Sequence, residues 1–201
     1  GRFVIMMVGR LAAEKRQETF LAAVRASRHR ARIALVLAGT GPREEELRAL
    51  AQEVSDQVEV GFLPRERLLT LLASADLLVH CSGVELEGLA VLEALGMGLP
   101  ALVAEGPETA ASDYALGPDW RFPVGDVAAL TARIDRLVDE PERLVAARTA
   151  SLVAAQRVSF DLCVARLESV YRQVLSCATQ GRAAPSQSAL GVAPARVLRA
   201  R

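Results

Sequence analysis

The sequence predicts an α/β protein built on a mostly parallel sheet with helices on both faces. Three observations carry this. Short, continuously apolar runs recur along the 201-residue chain, the pattern of strands buried on both faces rather than on one. Between them lie longer segments whose apolar positions fall at helical spacing. The two kinds alternate, which calls for right-handed crossovers between neighbouring parallel strands.

Taken in order, "FVIMMVG" (3–9) is a doubly buried strand and "RQETFLAAVRAS" (16–27) a helix. "RIALVLAG" (32–39) is the second strand, and "REEELRALAQEV" (43–54) a helix whose acidic first turn suits the helix dipole. A strand "QVEVGFL" (57–63) and a helix "RERLLTLLASA" (65–75) follow, then a strand "DLLVHCS" (76–82) and a helix over 88–97. "LPALVAE" (99–105) is the fifth strand and, after a loop, "WRFPVG" (120–125) a short sixth. Three helices are expected over 127–140, 141–156 and 159–175. The last places Phe160, Val164, Leu167, Tyr171 and Val174 on one side, a stripe that needs a partner surface. From Gly181 the chain is small, polar and arginine-spiked, which reads as a disordered tail.

Composition excludes several classes. Apolar residues make up 51% of the chain, enough for a sizeable core. The formal net charge is zero, which argues against a nucleic-acid partner. The three cysteines have no metal-ligand spacing and read as small buried groups in a reducing compartment. No apolar run has the length of a membrane span. The chain enters a strand at once without an initiator methionine, so it is expected to be cut from something longer.

In an open parallel sheet, ligands sit beyond the carboxyl ends of the strands. Four distinctive segments fall there: "GRLAAEK" (9–15), "GTGP" (39–42), "GFLP" (61–64) and "SGVELEG" (82–88). Arg10 and Lys15, the only lysine of the chain, flank a loop leading into a helix start. Two cations beside a helix N-terminus suit a diphosphate; the plainer alternative is two solvated charges. The loop is not GxGxxG, so the dinucleotide fingerprint is absent after this strand. Gly88 permits close backbone approach at a helix start whose free amides face the ligand side. Glu93 lies in an apolar helical run, where a carboxylate is costly unless paired. Two neighbouring hydroxyls, as on a ribose, would satisfy it, and so would an arginine from a nearby helix. Glu85 also has two options open: a second polyol, or membership with Glu87 of a solvated acidic loop.

The run "VELEGLAVLEALGMGLPALVAE" (84–105) resembles the E-x7-E signature of retaining GT-B glycosyltransferases, with Glu85 and Glu93 at the motif's spacing. "VGRLAAEK" (8–15), "LAGTGP" (37–42), "VEVGFLP" (58–64) and "LLASADLLVHCS" (71–82) are similar to other segments of that family, in the same order, so the likeness covers 3–175. It implies a Rossmann-like sheet, the C-terminal donor-binding half of a GT-B fold. It also implies a hexosyltransferase acting with retention and without metal or other cofactor, the donor being a nucleotide-diphosphate sugar, UDP-glucose foremost. By the same resemblance Arg10 and Lys15 hold the diphosphate, Glu85 contacts the transferred sugar, and Glu93 holds the ribose. The turn with Gly41 and the amides at Gly88 and Leu89 approach the donor, and the base lies near Gly61, Phe62 and Leu63. Glu85, Arg10 and Lys15 carry the chemistry, the cations by stabilising charge on the leaving group.

The departures matter as well. Glu87 stands where many members have an aromatic residue, and neither His29 nor His80 matches the family's histidine, so both read as structural or solvated. On this likeness residues 1–178 form the donor domain with its C-terminal helices, 179–201 a tail, and the N-terminal acceptor domain is absent. The chain alone is then inactive. A lipid or glycan acceptor is met through the missing domain, with a cytoplasmic location and peripheral contact at the inner face of a membrane as the expectation. A non-catalytic nucleotide-sugar-binding module and a sugar-nucleotide epimerase are the two rival readings; the Arg10–Lys15 spacing argues against the epimerase.

Overall fold

A computed structural model describes residues 1–179; the tail expected from Gly181 lies outside the described residues. The chain groups into two compact units, Gly1–Ala155 and the part from Gln156 onward, and each is described by itself.

In the first unit six strands form one sheet: β1 (Phe3–Val8), β2 (Ile33–Ala38), β3 (Val58–Gly61), β4 (Leu77–His80), β5 (Ala101–Glu105) and β6 (Arg121–Pro123). Their order is β3-β2-β1-β4-β5-β6, and every pairing is parallel. The sheet is therefore Rossmann-like, as the alternation predicts. The winding reverses between β1 and β4, the switch point at which such a sheet leaves a crevice beyond its carboxyl edge. The helices are α1 (Gln17–Ala26), α2 (Glu44–Val54), α3 (Arg65–Ser74), α4 (Leu89–Gly96), α5 (Val127–Asp139) and α6 (Pro141–Gln156).

β1 and β2 are continuous apolar runs, and β4 and β5 are apolar up to their last residue, because both faces are covered. Ile5, Met7, Leu35, Leu37, Leu77 and Val79 pack with Phe20 and Val24 of α1, Leu47 and Val54 of α2, and Leu130 and Ile134 of α5. The residues between them, Met6, Val36 and Leu78, pack with Leu72 of α3 and with Val91, Ala94 and Leu95 of α4. Each leucine or phenylalanine so buried contributes about 1.5–3 kcal/mol relative to exposure.

Three strands stop two residues short of their expected ends: β3 at Gly61 rather than 63, β4 at His80 rather than 82, and β6 at Pro123 rather than 125. The residues that follow are needed as loop, because the chain must leave the sheet at its functional edge. Gly39, just past β2, shows how tightly this is done. Its φ is +152°, and a Cβ there would lie 1.9 Å from the Gly9 carbonyl oxygen of the neighbouring loop.

The second unit contains α7 (Phe160–Thr179). Phe160, Leu167 and Tyr171 of the predicted stripe are exposed. Cys81 is buried as expected, but Cys163 on α7 is exposed, a correction to the reading of all three cysteines as buried. No helix among the described residues is long and apolar enough to cross a membrane.

Candidate functional site

The loops after β1, β2, β3 and β4 meet at the carboxyl edge of the sheet, so topology alone brings the four sequence segments together. Backbone bonds then fix them. Leu11, buried at the bottom of the β1 loop, donates its N–H to the Thr40 carbonyl (2.9 Å) and accepts from the Arg43 N–H (3.1 Å). Gly41 lies so close that a Cβ on it would come within 2.2 Å of the Leu11 carbonyl oxygen. A 3-10 turn at Ala13–Lys15 ends the loop, and Arg16 follows in the left-handed region at φ +53°, a strained place for a residue with a Cβ.

The β4–α4 loop is held from two sides. Gly83 N–H donates to the Glu14 carbonyl (3.1 Å), which ties it to the β1 loop. Glu85 N–H donates to the Glu108 carbonyl and the Ala110 N–H donates back to Glu85 O, both at 2.9 Å, which straps it to the loop after β5. The result is one contact between the two loops that flank the switch point: Lys15 Nζ donates to Glu85 Oε2 at 2.6 Å. His80, the last residue of β4 and only 3% exposed, brings its Nε2 to 3.3 Å from the same oxygen. That approach is not aligned as a hydrogen bond, so Nε2 stays buried without a partner among the described residues. It still places a polar edge on the carboxylate. The His80 imidazole, followed by the Lys15 ammonium, holds the Glu85 carboxyl down at about 2, against the upward pull of partial burial.

Gly88 starts α4 at φ +75°, with no side chain capping the helix. A Cβ at Gly88 would sit 2.6 Å from the Ala111 methyl, so only glycine lets the helix start approach this closely. The Val91 and Leu92 amides reach back to the Gly88 carbonyl. Those of Gly88, Leu89 and Ala90 have no partner among the described residues, which leaves three donors at the positive end of the helix.

The structure corrects the expectation for Glu93. It lies on α4, but the buried stripe of that helix is Val91, Ala94 and Leu95, and Glu93 falls off it and is exposed. No burial cost arises, and among the described residues no arginine pairs with it. Glu87 and Arg10 are exposed too, and the Arg10 guanidinium likewise has no ion-pair partner among the described residues. At the β3 loop Leu63 is buried and anchors the turn, while Phe62 is presented to solvent, 71% exposed. Gly61 lies against the Arg48–Glu44 pair at the start of α2. His80 is the residue that sequence reasoning missed. Its signal was a histidine closing an otherwise apolar strand five residues before Glu85. His29 lies elsewhere, 2.7 Å from Asp139.

Residues 1–151 match the family described as glycosyl transferases group 1, and the chain belongs to that family. Among its relatives is the alpha-D-kanosaminyltransferase of Streptomyces kanamyceticus, 29% identical over 183 residues, which cover 86% of this chain and 46% of that protein. Another is the 2-deoxystreptamine N-acetyl-D-glucosaminyltransferase of Streptomyces fradiae, 32% identical over 159 residues, covering 71% of this chain and 35% of that one. The chain thus spans less than half the length of these relatives. Among solved structures, the catalytic domain of cholesterol-alpha-glucosyltransferase from Helicobacter pylori superposes with a TM-score of 0.75 at 31% identity, over 79% of this chain and 100% of that one. Anabaena HepE in complex with UDP and glucose superposes at 0.70 with 20% identity, over 84% of this chain and 48% of that one, a likeness of fold. The parallel Rossmann-like sheet matches that of GT-B glycosyltransferases.

Proposed function

We propose that this chain is the donor-binding half of a retaining GT-B glycosyltransferase. It would move a sugar from a nucleotide-diphosphate sugar, a UDP-sugar foremost, to a lipid or glycan acceptor. The observation that carries the reading is the meeting of Lys15 and Glu85 across the switch point, 2.6 Å apart, beside the uncapped start of α4. A cation, a carboxylate and helix amides at one rim are complementary to a diphosphate joined to a polyol. UDP as the base-bearing part accords with the UDP held by the Anabaena neighbour.

In this reading Arg10 and Lys15 neutralise the diphosphate, and the amides of Leu89 and Ala90 add the helix dipole. As the bond to the sugar breaks, negative charge grows on the leaving phosphate, and these fixed positive groups stabilise it without reorganisation. Glu85 accepts hydroxyls of the transferred sugar. Glu93, exposed on the surface of α4, accepts the ribose hydroxyls. The turns at Gly41 and at Gly61 to Leu63 frame the nucleoside, with Phe62 as an exposed face for the base. No metal or other cofactor enters. The acceptor is bound by an N-terminal half, at the inner face of a membrane on the cytoplasmic side, and residues 1–178 without that half are inactive.

A thermal-shift panel of UDP-, GDP- and ADP-sugars tests this. A specific donor at a hundredfold excess over its dissociation constant stabilises the protein by about 2.7 kcal/mol. A flat response to every member of the panel removes the donor site.

A further inference from the structure

We propose that His80 is the positioning residue of Glu85: when a diphosphate draws Lys15 off the carboxylate, the imidazole Nε2 becomes the donor that keeps Glu85 aimed at the sugar. The inference rests on the donor-site reading and deepens it.

Three observations lead here. First, a single oxygen is contested: Glu85 Oε2 has Lys15 Nζ at 2.6 Å and His80 Nε2 at 3.3 Å. The lysine holds it, while the buried imidazole Nε2 lies within ion-pair range but makes no aligned hydrogen bond among the described residues. Second, His80 occupies a position where an apolar residue would pack without that cost. The rest of β4 is Leu77, Leu78 and Val79, all fully buried, and alternation puts the ring on the side of α4. Buried polar nitrogens are nearly always paired in folded proteins, so one left over beside a carboxylate points to a bond made in another state of the site. Third, the two donors differ in mobility. Lys15 carries its charge on a flexible four-carbon stem, whereas His80 is fixed by the β4–β5 pairing through Val103.

The hand-over follows from charge and geometry. A diphosphate offers the ammonium more negative charge than one carboxylate does, and Lys15 can swing to it. The backbone of Glu85 cannot follow, because it is strapped through Glu108 and Ala110. Its side chain would then be loose in the crevice without a second donor. A small rotation brings His80 Nε2–H into line with Oε2, and the carboxylate keeps its direction while its other oxygen faces the sugar.

The test uses the full-length protein and three ligand pairs: UDP with UDP-glucose, GDP with GDP-mannose, and ADP with ADP-glucose. Calorimetry on the wild type selects the pair bound most tightly. His80→Leu should weaken the nucleotide sugar about 10-fold relative to the bare nucleotide, the size of one hydrogen bond to a charged group. Bare-nucleotide affinity should stay within about 2-fold, and His80→Gln, which restores an N–H donor, should return the ratio to within about 3-fold of the wild type. In the wild type the 15N resonance of His80 Nε2, identified by its loss in His80→Gln, should shift on adding the bare nucleotide. Equal weakening of both ligands in His80→Leu overturns the proposal, as does a His80→Gln variant no better than His80→Leu at unchanged melting temperature. An unmoved Nε2 resonance in saturated protein overturns it too. A wild type that binds none of the three pairs defeats the donor site itself, and the positioning role with it.

Discussion

Replacing Glu85 by glutamine removes the charge on which the β1 and β4 loops converge, and the cost can be worked from the structure. The Glu85 carboxyl stands at about 2 instead of its ordinary 4.5, held there by His80 first and Lys15 next. Each pH unit of such a depression is worth about 1.4 kcal/mol of preference for the charged form, so the unscreened figure is about 3 kcal/mol. The pair is partly open to water, and screening reduces this to about 1–2 kcal/mol. The sign follows from which state holds the proton more weakly. A carboxyl depressed on folding adds stability that is fully present above the unfolded value of 4.5 and is lost as pH falls towards 2. Urea unfolding followed by circular dichroism, at intervals from pH 7 to pH 2, should therefore show the wild type more stable than Glu85→Gln by about 1–2 kcal/mol near neutrality, with the two curves converging in acid. Other carboxylates titrate over the same range in both proteins and drop out of the difference. Curves that run parallel from neutral pH to pH 2 would refute the argument that the Lys15–Glu85–His80 contact organises this edge.

Three other perturbations separate scaffold from site. Gly39→Ala forces a methyl to 1.9 Å from the Gly9 carbonyl at a positive φ; overpacking and strain together should cost more than about 2 kcal/mol in urea unfolding. Leu95→Ala empties a fully buried position between α4 and the sheet and should cost about 2–5 kcal/mol, read as a lower urea midpoint at unchanged slope. Glu93→Ala, on an exposed position without an ion-pair partner among the described residues, should leave the melting temperature unchanged. Its affinity for the bound nucleoside diphosphate, measured by calorimetry, should fall by about 1–3 kcal/mol; unchanged affinity would dismiss the ribose role.

Much of the architecture was legible because strands buried on both faces carry a distinctive code. Runs such as "FVIMMV" and "IALVLA" are apolar at every position, and no solvent-facing strand reads that way. Strand ends were less so: "VHCS" and "GFL" look like continued strand, yet β4 gives up Cys81 and Ser82, and β3 gives up Phe62 and Leu63, to the loops of the functional edge. At the candidate site, Arg10, Lys15 and Glu85 could be named from their places after strands. The exposure of Glu93 could not, because a helix with apolar residues at 89 to 92, 94 and 95 does not declare which of them face the core.

The linear order of residues was enough to determine the sheet, its crossovers and the edge at which the charged loops gather, since burial on two faces and chain connectivity are local and topological properties. Only the folded chain decided that Lys15 and His80 converge on one oxygen of Glu85. That meeting depends on loops 70 residues apart being strapped together through Glu14, Gly83, Glu108 and Ala110, and distances between remote loops are set by packing rather than by spacing along the chain.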